Sequence, residues 1–346
     1  PTRRSSDLDT EIAMDTKDIE KAYYEIVSWW KKKIITTDAQ LAEAFNGHII
    51  SFAYNSGNIE NPNITYHDTR EVFEHDGVSN YTGDLRTLYE IRNAKDANDF
   101  FFDAFKNSLA LDEDFIKELH KQLTKNTYDT RRWQQGERPG QYKKGDYVTG
   151  RNETGAAPEE VPYEMAELLD DISSIDNKDA LTAAAFFHAK FENIHPFADG
   201  NGRTGRMATN YLLVTHEHPP VVIYKEDREE YFNALEDWDI NQNLSTLKNF
   251  LKQETIKTWE KQLLKENTSQ MLKATYATAE LASQKIKGDL ESGRNYKEIK
   301  AEALKYISGG SIPEKRIKFD AIIHQIKKDL PLAIQKSISS EIEHSR

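Results

Sequence analysis

His195-Pro-Phe-Ala-Asp-Gly-Asn-Gly-Arg-Thr-Gly-Arg206 gathers an imidazole, a carboxylate, a Gly-Asn-Gly turn and two arginines within twelve residues. Upstream of it, Ala184, Phe187, Phe191 and Ile194 recur at three- and four-residue spacing, which predicts a helix over 181–194. Pro196 pushes His195 out of the α region, so that helix stops with the imidazole at its end. Gly200 and Gly202 permit positive φ and close backbone approach, and a second helix is predicted from near Arg203 through Leu213. The N–H groups of the turn and the positive end of that helix converge on one point, which makes an anion site. Arg203 and Arg206, at i and i+3, share a helical face from which planar guanidinium forks can grip phosphate oxygens. Asp199 is a hard oxygen ligand suited to a magnesium ion that keeps most of its waters and shares the phosphates. His195 titrates nearest neutrality and can take a proton from an attacking hydroxyl.

The chain has 346 residues, enough for one large domain or two to three smaller ones. Its 46 Lys and Arg against 58 Asp and Glu leave a net charge of −12, which argues against general affinity for nucleic acid or anionic membrane. With no cysteine present, disulfides, zinc-thiolate sites and thiol nucleophiles are excluded. No apolar run approaches the roughly 18 residues of a membrane span, and no signal peptide is recognisable. A soluble cytoplasmic protein is the expectation. Residues 1–14 are polar and aperiodic and read as a disordered or non-native tail, with Met14 the expected natural start.

Working outward, Ile19, Tyr23, Ile26 and Trp30 form one stripe of a helix expected over 17–35, whose C-terminal end Lys31, Lys32 and Lys33 favour. Trp29 and Trp30 are read as core. Thr37 with Gln40 makes a capping box for the next short helix. In Phe52–Pro62, Ser56 and Glu60 are four apart and share a helical face, and Asn61 before Pro62 ends the helix, since Asn tolerates the left-handed region. A carboxylate at that helix end opposes the macrodipole and needs a cation. Leu88, Ile91, Ala94, Phe101, Phe105 and Leu109 mark a helix over 85–109, in which Glu90 and Asn93 are read as structural polar residues. A helix over 113–124 carries His120, read as a satisfied helix-face histidine. Between Tyr128 and Val161, five glycines and two prolines exclude a long helix, while Tyr142, Tyr147 and Val148 favour short extended pieces. His188 and Glu192, on the helix before the motif, are read as structural. Residues 265–346 hold 15 Lys and Arg against 11 Asp and Glu and read as several helices interrupted at Gly309-Gly310 and Pro331.

The stretch 195–206 resembles, at every defined position, the signature H-x-F-x-(D/E)-G-N-G-R-x-x-R of the Fic family, and the resemblance covers about residues 40–255. It implies an all-α fold with a small β-hairpin flap before the catalytic helix pair, here within 141–156, and a C-terminal helical extension. With the composition of the ends, the chain is expected to comprise a tail over 1–14, an N-terminal helical region with the inhibitory helix over 15–112, a catalytic core over 113–255 and, where the resemblance fades, a helical accessory domain over 256–346. The accessory domain is read as a helical accessory or dimerisation module, with a DNA-binding helix-turn-helix around Gly309-Gly310 as the other reading. The resemblance implies transfer of AMP from ATP, with Mg2+ as cofactor, to a Ser, Thr or Tyr hydroxyl of a target protein. His195 would be the general base and Asp199 the magnesium ligand. Gly200, Asn201 and Gly202 would form the anion-binding turn, Arg203 and Arg206 would hold the nucleotide phosphates, and Phe197 would anchor the loop. Ser56, Glu60 and Asn61 resemble the inhibitory motif (S/T)-x-x-x-E-(G/N) carried N-terminally in one class of the family, whose glutamate pairs with the second arginine of the signature, here Arg206. Removal of AMP, use of another phosphate donor, and a catalytically silent scaffold are the competing readings. A homo-oligomer is left open.

Overall fold

Aromatic and aliphatic residues at helical spacing shape this chain into helices, and glycine, proline and polar caps divide them. In the computed structural model the described residues are 16–45, 47–147 and 155–343. The N-terminal part comprises α1 (Thr16–Lys31), α2 (Asp38–Phe45), α3 (His48–Glu60), α4 (Tyr66–His75) and α5 (Leu85–Lys106). There follow α6 (Glu113–Thr124), α7 (Thr130–Gln134), α8 (Val161–Ile172), α9 (Ala180–Ile194), α10 (Asn201–Thr215) and α11 (Arg228–Asn241). A long α12 (Leu244–Thr275) precedes α13 (Ala279–Glu291), α14 (Tyr296–Tyr306), α15 (Ile312–Ile326) and α16 (Leu332–Glu343). The chain divides into two compact units, the first ending at Glu260 and the second starting at Lys261. Among the described residues no helix is long and apolar enough to cross a membrane.

The all-α expectation holds, while among the described residues there is no strand. The expected β-hairpin falls partly on 148–154, outside the described residues, and the described part, 141–147, is irregular. The tail expected over 1–14 also lies outside them. α1 ends at Lys31, four residues short of the expected limit, because Ile34 adopts φ 48° and turns the chain. Thr37 and Gln40 do form a reciprocal cap, with Gln40 N donating to Thr37 Oγ1 at 3.2 Å and Thr37 N to Gln40 Oε1 at 3.1 Å. Trp30 is fully enclosed and packs on Trp259 of α12 at a centroid distance of 5.0 Å, as a core role requires.

In the first unit α9 packs on α10, α10 on α6, and α3 is lodged against α4, α5 and α10. Gly57 permits this lodging, because a Cβ there would stand 2.9 Å from Ile64 Cδ1. The second unit has its own core, built from Ile286 and Leu290 of α13, Ile299 and Ala303 of α14, and Phe319 and Ile323 of α15. Serine and proline open α15 through a full capping box of Ser311 and Glu314, just after the Gly309-Gly310 interruption.

Candidate active site

The site is assembled where α9 ends and α10 begins. α9 stops at Ile194 and His195 caps it outside the right-handed α region, as Pro196 requires, in the left-handed region at φ 51° and ψ 63°. That conformation is uncommon for a residue with a Cβ and is held from outside. Lys143 N donates to Pro196 O at 2.9 Å, and Ala156 N to Ile194 O at 3.0 Å. Gly155 crosses so close that a Cβ there would stand 2.6 Å from Ile194 O.

Phe197 is wholly buried and stacks face to face on His120, with centroids 3.7 Å apart. His120 Nδ1 accepts from Gly140 N at 2.9 Å, so Nε2 carries the proton and donates to Asp199 O at 2.8 Å. Burial lowers the His120 pKa to about 4, which keeps the ring neutral in this role. It is a satisfied histidine of α6, as expected, and its burial makes it a strut of the loop. Asn201 spends its side chain on the same loop: Oδ1 accepts from Phe197 N at 2.9 Å and Nδ2 donates to Phe197 O at 2.7 Å. An anion would therefore meet the backbone N–H of Asn201, not its amide.

α10 starts at Asn201, two residues before the expected start, with Gly200 as N-cap at φ 84° and no side-chain cap. Its first-turn N–H groups thus have no capping side chain. Gly202 is helical, contrary to the positive φ allowed for it in the sequence. Its glycine serves close approach instead, since a Cβ there would stand 2.2 Å from Glu60 Oε1.

Arg203 is 6% exposed, and its Nε and Nη1 are enclosed with no hydrogen-bond partner. Its nearest anions are Asp199 Oδ1 at 3.7 Å and Glu90 Oε1 at 3.8 Å. Enclosed guanidinium N–H groups left in this state are costly in an apolar surround and define a site for acceptor oxygens. Arg206 is equally buried but fully engaged. It donates from Nε to Ser56 Oγ at 2.9 Å, and from Nη2 to Ser56 O at 2.8 Å and Glu60 Oε1 at 2.9 Å. Burial works against the Arg206 charge and the Glu60 carboxylate beside it outweighs that, so its pKa is raised. The cation that the end of α3 needs is thus supplied from α10. Arg228 adds a second, its Nε donating to Ile59 O at 3.0 Å. Asn61 ends α3 in the extended region, φ −128°, not the left-handed one, and its Nδ2 donates to Glu90 Oε2 at 2.7 Å.

His195 is mostly enclosed. Burial, then Lys143 nearby, lowers its pKa to about 4, against the opposing pull of the Glu60 and Asp199 carboxylates. The ring is therefore neutral near pH 7 and has a basic nitrogen to offer. Burial tends to raise the Asp199 carboxyl, but Arg203 and then Arg86 outweigh it and hold the pKa below the usual carboxylate range. Asp199 also accepts from Arg86 Nη2 at 2.6 Å. A single ionised carboxylate at a phosphate-type anion site fits a magnesium ion that shares its remaining ligands with water and phosphate. Among the described residues no group of three or more His, Cys, Asp or Glu is placed to hold a metal by itself.

Four residues without a role in the sequence reading join this cluster. Arg86 reaches it from α5. Tyr231 of α11 accepts from Arg206 Nη1 at 3.5 Å and lies 2.7 Å from His188 Nε2, while His188 Nδ1 lies 3.1 Å from Thr209 Oγ1. Because Thr209 donates its hydroxyl to Gly205 O, His188 Nδ1 carries the proton and the ring is neutral; burial lowers its pKa to about 3. Glu192 Oε1 is enclosed without a hydrogen-bond partner, and burial pushes that carboxyl up to about 8. Of the four, only His188 and Glu192 carried a sequence signal, two titratable side chains at i and i+4 on a largely apolar helix.

An uncapped helix N-terminus, two buried arginines and a neutral enclosed imidazole, brought together in an all-α unit, make a site that can hold an anionic group such as a phosphate. Residues 110–213 match the Fic/DOC family, so the chain carries a Fic/DOC domain. The protein adenylyltransferase fic-1 of Caenorhabditis briggsae is 38% identical over 84 residues, 24% of this chain and 17% of that protein. The protein adenylyltransferase Fic of Aedes aegypti is 49% identical over 53 residues, 15% of this chain and 11% of that protein. The chain thus spans less than a fifth of the length of these curated relatives. A Fic domain containing signaling protein from Bacteroides thetaiotaomicron superposes with a TM-score of 0.56 at 26% identity, covering 68% of this chain and 93% of that one.

Proposed function

We propose that this chain is a protein adenylyltransferase restrained by its own α3. The observation that carries the reading is the pair of enclosed arginines at the start of α10, one with unpartnered N–H groups and one closed off by Glu60. ATP supplies what they select, an extended run of phosphate oxygens, and the uncapped first turn of α10 supplies backbone donors for the same group. A Ser, Thr or Tyr hydroxyl of a target protein attacks the α-phosphorus. A new oxygen–phosphorus bond forms, the bond to the bridging oxygen breaks, pyrophosphate leaves, and the hydroxyl proton passes to His195. A neutral imidazole is the form that accepts it, and burial keeps His195 in that form. Magnesium held at Asp199 together with the phosphates would neutralise charge gathering on the leaving pyrophosphate. Arg206 is the cation a γ-phosphate would use, and Glu60 already occupies it.

The test is transfer of label from α-labelled ATP to protein in the presence of magnesium. Label is expected to be incorporated with release of pyrophosphate, and His195→Ala is expected to abolish incorporation while ATP still binds. Incorporation by His195→Ala above one tenth of the parent would remove His195 from the role of base, and label from γ-labelled but not α-labelled ATP would replace AMP transfer by another phosphate chemistry.

A further inference from the structure

We propose that Arg86 is a built-in cation that occupies the Asp199 carboxylate until a divalent ion replaces it, so that Arg86 sets how strongly metal and nucleotide reinforce each other. The inference rests on the reading of Asp199 as a metal ligand. Arg86 reaches Asp199 from α5, with Nη2 2.6 Å from Oδ2, and is steadied by Nε at 3.2 Å from Glu90 Oε1. This short charge-assisted bond occupies one of the two carboxylate oxygens, and Arg203 Nη2 lies 3.7 Å from the other, so both oxygens that a hard cation could use already face a guanidinium. A guanidinium at that distance and a divalent ion on the same carboxylate would stand within a few ångströms of each other as like charges, so one displaces the other.

The surroundings allow the exchange. The Arg86 side chain is 41% exposed, whereas Asp199 is 20% and Glu90 6% exposed, so of the three it is Arg86 that can swing into solvent. Glu90 does not lose every partner when Arg86 leaves. Its Oε2 keeps Asn61 Nδ2 at 2.7 Å, and its Oε1 lies 3.8 Å from Arg203 Nη1, an enclosed N–H group without a partner. Arg203 can close that gap. Asn61 ends the helix that carries Glu60, so one carboxylate, Glu90, links that helix end to the cation covering Asp199.

The experiment measures the affinity of ADP with saturating Mn2+ and with EDTA, and takes the ratio of the two dissociation constants as the metal coupling. ADP has no γ-phosphate and leaves the Glu60–Arg206 pair in place. If Arg86 is the placeholder, Arg86→Met removes a competitor of the metal and leaves Asp199 bare when metal is absent, so the coupling ratio rises about tenfold or more. Arg86→Lys keeps a cation and stays near the parent ratio. A structural role or a direct grip on phosphate would weaken ADP in both conditions alike and leave the ratio unchanged, which overturns the proposal. Asp199→Ala separates the two readings. A parent-like ratio in that variant removes the metal assignment and this inference with it. A ratio near one in Asp199→Ala combined with no rise in Arg86→Met overturns the inference alone.

Discussion

Glu60 Oε1 lies 2.9 Å from Arg206 Nη2, joining residues 146 apart in sequence across α3 and α10. Arg206 is 5% exposed and Glu60 39%, so the pair sits at the rim of the site with its cation inside and its anion facing out. Replacing Glu60 by glycine therefore leaves the arginine for a competing anion, at the cost of a buried cation without its carboxylate partner. Bound ATP offsets that loss by supplying phosphate oxygens. AMP transfer by Glu60→Gly at subsaturating ATP is expected to rise at least tenfold, about 1.4 kcal/mol of relieved competition. Arg206→Ala on that background is expected to cancel the gain. Equal rates for parent and Glu60→Gly, with folding checked, would reject restraint by α3.

The same carboxylate accounts for Gly202. A Cβ at that position would meet Glu60 Oε1 at 2.2 Å and, less severely, Arg206 Nη1 at 2.9 Å. Gly202→Ala is expected to destabilise the parent by at least ~1 kcal/mol through this overlap. In Glu60→Gly the first clash is gone, and the cost should fall to less than half, or reverse, since alanine favours a helix over glycine. Urea denaturation of the two single variants and the double variant gives the coupling directly. Additive effects would show that α3 does not cover Gly202 in solution.

Legibility in the sequence followed separation along the chain. The twelve residues from His195 to Arg206 are contiguous, and Ser56, Glu60 and Asn61 lie within one and a half helical turns, so spacing alone placed them on common faces. Arg86 meets Asp199 across 113 residues and Tyr231 meets Arg206 across 25, and no local pattern encodes such pairings. Glu192 was visible as a carboxyl on an apolar helix but passed as structural, because its enclosure depends on Gly205 of α10 lying against it; a Cβ at Gly205 would stand 2.7 Å from its Oε1. Helix limits erred where a single residue turned the chain, at Ile34, and where an asparagine clamp drew the start of α10 forward to Asn201. Of the two uses the sequence allows for Gly202, positive φ and close approach, the structure takes the second, since glycine there answers a neighbour from α3 and not a backbone angle.

The pKa of His195 fixes an acid limb. Burial and Lys143 lower it to about 4, so the imidazole is neutral and able to accept a proton throughout the range above that value. In Glu60→Gly the loss of a carboxylate that raises the ring lowers it further. For that variant kcat/KM is expected to stay flat from about pH 5.5 to 8, because this ratio reports the free enzyme. A fall with midpoint near 6.5 would mean that His195 is solvated in the free protein, or that another group is the base.

Glu192 predicts a stability effect of opposite sign to the histidines. Its carboxyl is pushed from 4.5 up to about 8 by burial, with Arg206 working the other way. Below pH 4.5 folded and unfolded forms both hold the proton, and the raised value has its full benefit. Between 4.5 and about 8 the unfolded chain releases the proton while the folded one keeps it, so the folded form loses stability as pH rises, by up to ~1.4 kcal/mol per pH unit. His120, His188, His195 and His218 are all lowered by burial and give the reverse slope below 6.5, where the unfolded chain binds the extra protons. Those contributions are common to parent and variant and cancel in their difference. Glu192→Gln keeps the shape of the neutral acid and cannot ionise, so its Tm relative to the parent is expected to climb steadily as pH is raised from 5 to 8. A difference that does not change with pH would show that Glu192 is ionised in the folded protein, where Arg206 would then have a second carboxylate beside it.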